Sequence, residues 1–191
     1  MHPLDTTSLE VSLLGGNSKA RTLAPFLLSM LIIVADQLTK LAVVRLIPAG
    51  RIAWTAFGDF FWLVHQKNTG AAFSLGDSMP ELARVAILIV MPLALLTGLC
   101  IYMLRTDELS GIQRWAVGGI IGGGIGNIAD RIFRPEGVID FLSFKFYGLF
   151  GLERWPTFNI ADSAVVVCGI LLVIAGFFMP VVDPANHESG R

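Results

Sequence analysis

Three things are scarce in this 191-residue sequence: charge, cysteine and clustered histidine. Charged residues make up 15% against a usual quarter, and hydrophobic residues reach 54%. That balance excludes an ordinary soluble domain of this length and fits a membrane protein. Net charge is −1, so no basic excess offers a surface to nucleic acid. The two cysteines, Cys100 and Cys168, lie inside apolar runs and read as small core hydrophobes, leaving the redox compartment open. The three histidines (His2, His65, His187) are far apart, and no His/Cys cluster has metal-ligand spacing. No metal site and no other cofactor is implied.

What the chain has instead is four uncharged stretches: 22–35, 85–104, 115–129 and 163–182. The second and fourth are 20 residues each, about the length that crosses a ~30 Å hydrocarbon core. The first and third are shorter, but each runs on into charged residues suited to an interface. The expected fold is an all-α membrane protein with four transmembrane helices and a small β or loop region on one side. Pro92 should bend the second helix, which packed neighbours tolerate. Residues 1–20 are polar and aperiodic and read as a loose tail ahead of a single domain, 21–191. Lys19 and Arg21 precede the first stretch as in a signal peptide. The apolar pattern resumes after Lys40, however, and no A-x-A site follows, which argues against cleavage.

Tracing the chain across the membrane separates two sides. With Arg21 at side A and ~1.5 Å per helical residue, Asp36 lies about 22 Å further and Lys40 about 28 Å, at side B. The 47–80 connection is then on side B, and helix two returns to side A at Arg105. Helix three leaves side A at Arg114 and reaches side B at Asp130 and Arg131. Helix four runs from Asp162 on side B to Asp183 on side A. Connectivity alone therefore gathers Asp36, Lys40, Asn68, Asn127, Asp130, Arg131, Asp140, Asn159 and Asp162 at one end. Lys and Arg are more numerous in the side-B loops. Lys19, Arg21, Arg105 and Arg114 lie closest to helix ends, which favours a cytoplasmic side A.

In helix three, Gly118, Gly122, Gly126 and Asp130 are spaced by four, and Gly119, Gly123, Asn127 and Arg131 form the adjacent column. Two glycine columns make a smooth face on which another helix approaches closely. The same face ends in the polar trio Asn127, Asp130 and Arg131. The trio reads either as a site or as a snorkelling pair on a packing face. Gly124, Gly126 and Ala129 also fit G-x-G-x-x-A, but no strand precedes them, so a nucleotide site is excluded. Asp36 and Lys40 are four apart and able to pair, either within a site or as a structural ion pair. The FFWLVH run before NTG reads as a strand and a turn. GVIDFLSFKF fits a short strand or an interfacial helix. YGLFGLERWP, aromatic and glycine-containing, is expected on the lipid surface.

On these residues alone a protease, a proton or ion transporter and a membrane scaffold stand level. No G-x-S-x-G occurs, and Ser29, Ser143 and Ser163 lack an evident base partner. A transport path should place ionisable groups at several depths, whereas here they bunch at one end. A scaffold accounts for the glycines but not for separate aspartates brought together.

DQLTK (36–40), NTGAAF (68–73), GGIGNIADR (123–131), VIDF (138–141) and FNIAD (158–162), in this order, resemble the lipoprotein signal peptidases (signal peptidase II), bacterial membrane aspartic proteases. The resemblance covers most of the chain. It departs in the polar N-terminal tail and in a rather long connection between Asp140 and Asn159. It implies that Asp140 and Asp162 are the catalytic pair. Asp36, Lys40, Asn68, Gly70, Asn127, Asp130, Arg131 and Asn159 would then form the shell that positions them and the substrate. The implied substrate is a prolipoprotein with a diacylglyceryl-modified cysteine, cut just before that cysteine. The implied enzyme is a monomer in the bacterial cytoplasmic membrane, in contact with lipid, with side B as the outer face. Hydrolysis of a peptide bond needs a base for water and an acid for the leaving amine. Two carboxyls sharing one proton supply both and titrate as a coupled pair.

Overall fold

The computed structural model describes residues 22–70 and 80–178. The expected tail, residues 71–73 of the NTGAAF segment and the end of the fourth stretch lie outside them. Four long helices surround a small sheet at one end. Helix α1 spans Pro25–Leu46, α2 Glu81–Arg105, α3 Gly111–Phe133 and α4 Ile160–Phe178. Strands β1 (Ile52–Ala56), β2 (Phe61–Asn68) and β3 (Val138–Phe144) form an antiparallel sheet in that order.

Three of the helices, α1, α2 and α4, are long and apolar enough to cross a membrane. Their outer faces leave Leu27, Leu95 and Val173 more than half exposed. Water would not tolerate apolar faces of this extent, and hydrocarbon does. This is a membrane protein. Helix α3 differs: it is buried along most of its length, with glycine where its neighbours have leucine or valine. Ser110 and Gln113 close its first turn as a capping box, each side chain taking the other's backbone N–H. Arg114 then turns back onto α2, donating to the Met103 and Thr106 carbonyls that its last turn leaves free.

The two glycine columns seat two different helices, not the single neighbour that their spacing suggests. A Cβ at Gly118 would lie 2.5 Å from the Pro25 carbonyl oxygen, and one at Gly122 would lie 2.7 Å from the Ser29 backbone; both belong to α1. A Cβ at Gly119 or Gly123 would instead overlap Cys168 or Ala161 of α4. Ser29 seals the first contact by donating to the Gly118 carbonyl at 2.6 Å. Gly122→Leu must therefore push α1 from α3, because the obstacle is backbone rather than a side chain that can swing away. If the polar residues below it form the catalytic site that the motifs imply, displacing them by about 1 Å should cost ~10²-fold in rate. Initial rates and melting temperature both at wild-type values would show that this column is not a seat.

The disturbance expected at Pro92 takes the form of a π-helical stretch over Ala86–Val90, just ahead of the proline. Proline has no N–H for the carbonyl one turn back and its ring crowds that position, so a wider turn accommodates it.

Both anticipated strands are present, and GVIDFLSFKF resolves as strand rather than helix. β2 runs on through Asn68, so the first part of NTG belongs to the strand and not to a turn. β1 has no clear sequence signature: it is five residues long and almost wholly exposed. The long connection after Asp140 goes out and back. Leu142 bridges Phe158 and Lys145 bridges Arg154, so the returning chain lies against β3. Arg154 clamps the return by donating to the Ser143 hydroxyl at 2.9 Å and lying 3.6 Å from the Trp62 ring. Between the two legs, Tyr147 and Phe150 adopt positive φ and stand exposed. Val43 of α1 and Ile47 just after it pack on Ile139 and Phe141, which fixes β3 to the helical bundle.

Candidate active site

The return leg of the β3 connection delivers Asn159 to the start of α4, where it caps the helix. Its side-chain oxygen accepts the Asp162 N–H at 2.9 Å, and an Asp162 carboxylate oxygen accepts the Asn159 N–H at 3.1 Å. This reciprocal cap needs a short acceptor at the cap and a carboxylate three residues on, which the N-x-x-D of FNIAD supplies. It fixes Asp162 and leaves its second oxygen free to accept from Asn127 Nδ2 at 2.7 Å.

The same Asn159 side chain holds the other aspartate. Its Nδ2 donates to Asp140 Oδ1 at 2.7 Å and to Asn127 Oδ1 at 3.1 Å. Asp140 Oδ2 accepts from Asn68 Nδ2 at 3.0 Å. One wholly buried asparagine thus bonds both carboxylates, one through its amide nitrogen and the other through its backbone. Each of the four carboxylate oxygens has a neutral amide donor, and neither aspartate has a salt-bridge partner among the described residues. That distinction matters, because a salt bridge would lock a carboxylate in its ionised form. Amide donors leave room for a proton. Asp140 is raised from 3.8 to about 7, chiefly by burial; the Asn68 hydrogen bond opposes the rise and the charge of Asp162 adds to it.

Beneath this pair lies a second, charged layer. Lys40 Nζ contacts Asp36 at 2.8 Å, Asp130 at 2.9 Å and Asn127 Oδ1 at 3.0 Å. Lys40 and Asp36 have no exposed surface. Each carboxylate of the layer also grips the backbone beside one member of the pair. Asp36 accepts the Ala161 N–H at 3.0 Å, next to Asp162, and Asp130 accepts the Ile139 N–H at 3.2 Å, next to Asp140. The lysine therefore sets the relative position of α4 and β3 through two carboxylates. Arg131 closes the upper edge, donating to the Asn127 and Gly70 carbonyls, both at 3.3 Å. Gly70 N–H in turn donates to Asn68 Oδ1 at 3.2 Å.

Every residue singled out in the sequence thus joins one connected network. Two that were not singled out belong to it as well. Gln37 donates to Asp130 at 3.0 Å and to the Gly126 carbonyl at 3.1 Å, tying α1 to α3. Arg134 pairs with Asp130 at 3.3 Å. Its position four residues after Asp130 was a readable signal, and Gln37 sat in plain view within DQLTK. The serines have other roles: Ser163 donates to the Asn159 carbonyl at 2.8 Å, and Ser29 and Ser143 are engaged as described. Among the described residues no group of three or more His, Cys, Asp and Glu is placed to hold a metal ion.

The fold is shared with solved bacterial membrane enzymes. Two such structures match with TM-scores of 0.69 and 0.68 at 23% and 24% identity, covering 81% and 82% of this chain and 87% and 94% of theirs. In sequence, residues 28–178 match the family model for signal peptidase (SPase) II. The lipoprotein signal peptidase of Treponema pallidum is 46% identical over 79% of this chain and 81% of its own length. That of Treponema denticola is 48% identical over 81% and 88%. The chain belongs to the signal peptidase II family, and it is a protease.

Proposed function

We propose that this protease is a membrane aspartic endopeptidase that removes the signal peptide from diacylglyceryl-modified prolipoproteins, cutting just before the lipidated cysteine. The observation that carries the mechanism is the double hold of Asn159 on Asp140 and Asp162. Two carboxyls held by one buried asparagine, each accepting from neutral donors only among the described residues, suit a pair that shares one proton. The pair holds that proton between them; Asp140, whose pKa burial raises to about 7, is the member we assign as acid, and Asp162 is the base. Asp162 takes a proton from water as its oxygen bonds to the scissile carbonyl carbon. Asp140 gives its proton to the departing amine as the C–N bond breaks. Arg131, at the edge of the pair, suits a role in positioning the substrate backbone.

In this reading all four helices cross the membrane. α3 is the least apolar of them because its partners, not lipid, cover it. The complete pair comes from one chain, which supports a monomer as the working unit. The site sits at the end of the bundle opposite Arg105 and Arg114, and these two, with Lys19 and Arg21, closely flank the helix ends of their side, which favours a cytoplasmic location for it. The pair then lies near the outer face of the cytoplasmic membrane.

Purified enzyme in detergent should cleave a prolipoprotein carrying the diacylglyceryl group and leave the unmodified precursor intact. Equal cleavage of both would remove the lipid from the account of specificity.

The pH dependence follows from Asp140. Its pKa is raised on folding, so the folded chain keeps a proton that the unfolded chain loses above about 4. This group's contribution to stability therefore falls as pH rises from about 4 to about 7. Activity needs the same proton and should decline through a single ionisation near pH 7. A kcat/KM profile flat to pH 9 would contradict the assignment of Asp140 as the acid.

A further inference from the structure

A cavity of about 270 Å³ opens between the start of α2 and the end of α3, and neither Asp140 nor Asp162 lines it. Arg84, Arg131 and Arg134 do, and Glu81 is the acidic residue beside them among the described residues. Leu88 and Ile89 give it an apolar wall. Such a concentration of like charge at one end of a membrane bundle needs an explanation, because the other buried charges are matched. Lys40 answers both Asp36 and Asp130, and Arg134 of the cavity is itself paired with Asp130 through Nε. Arg84, by contrast, forms no ion pair among the described residues. Arg134 Nη1 is buried with no hydrogen-bond partner. Arg84 and the Nη1 of Arg134 thus border this cavity with no ion-pair or hydrogen-bond partner among the described residues, whereas Arg131 and the rest of Arg134 are engaged by carbonyls, Gln37 and Asp130.

We propose that this cavity binds the phosphate of a membrane phospholipid, with the headgroup among the three arginines and the glycerol end along Leu88 and Ile89. Guanidinium forks match phosphate oxygens in geometry as well as charge. Basic pockets between membrane helices at headgroup depth are suited to such ligands. The volume lies just below the range of small-molecule pockets and suits a headgroup rather than acyl chains, which the lipid-facing surface of α2 takes instead. The proposal rests on the membrane placement of α2 and goes beyond the peptidase reading; it does not depend on which residues cut the substrate.

Native mass spectrometry of the full-length protein in detergent, titrated with phosphatidylglycerol, reads the binding directly. One lipid should bind each chain ahead of the weaker, non-saturating adducts. Arg84→Gln should weaken that first event by roughly tenfold. Glu81→Gln removes an opposing carboxylate and should tighten it severalfold, an effect that misfolding does not produce. Inorganic phosphate alone should compete only poorly. Equal binding by the wild type, Arg84→Gln and Glu81→Gln would overturn the site. Phosphate binding that depends on Arg84 but is not displaced by phosphatidylglycerol would overturn the lipid as its occupant.

Discussion

Asp140→Asn and Asp162→Asn should each lower the initial rate of prolipoprotein cleavage by roughly 10³-fold or more, since residues that act as a unit lose nearly everything when one is removed. Neither asparagine can release or take up the proton that the reaction moves. The structural consequences are milder. Both oxygens of each aspartate accept from amide N–H groups, so an asparagine turns one acceptor into a donor facing a donor. We expect a loss of about one hydrogen bond, ~1–3 kcal/mol, and a folded protein. At Asp140 the loss is partly offset, because burial there disfavours the ionised carboxylate. Substrate binding should persist, with uncleaved prolipoprotein co-purifying with both variants, because the lipid and the signal helix meet mostly apolar surface. A folded variant of either aspartate that cleaves at near-normal rate would exclude the aspartic mechanism.

Lys40→Met should have the largest effect on stability. It leaves Asp36 and Asp130, essentially without solvent exposure, facing each other without their common cation. Removing one partner of a buried ion pair costs about 3–5 kcal/mol, against a total stability of roughly 5–15 kcal/mol. The melting temperature should fall by about 10 °C or more, or the protein should fail to accumulate. Activity should fall with it, since the same two carboxylates hold the backbone at Ala161 and Ile139. Asp36→Asn should do less, because Lys40 retains Asp130. Adding Asp36→Asn and Asp130→Asn to Lys40→Met removes the uncompensated charges and should recover part of the melting temperature. A Lys40→Met protein that melts like the wild type would show that this lysine does not hold the layer together.

The helices were legible because apolar runs of membrane length have few other uses. The meeting of Asp36, Asn127, Asp140 and Asp162 at one end followed from connectivity alone. Other features depend on contacts that no local pattern encodes. The division of the glycine columns between α1 and α4 is set by where two partners lie around α3, and spacing by four describes only one face. β1 escaped notice because a five-residue exposed strand carries neither alternation nor length. Gln37 carries no signal beyond its place in DQLTK, because its bonds to Gly126 and Asp130 exist only where α3 packs on α1. The motif resemblance pointed to Asn159 only as part of a shell. Its double role as helix cap and bridge between carboxylates became visible once the connection after Asp140 was seen to fold back along β3.

In the proposed mechanism Asp140 and Asp162 act as one proton-sharing unit, and the double variant separates that from independent action. The initial cleavage rate of Asp140→Asn/Asp162→Asn should be measured beside both single variants, with melting temperature as the check on folding. If the carboxyls share one catalytic task, the double variant should cleave within about threefold of either single one. A rate that falls by the product of the two single losses would mean that the aspartates contribute independently, and the shared-proton mechanism would be wrong.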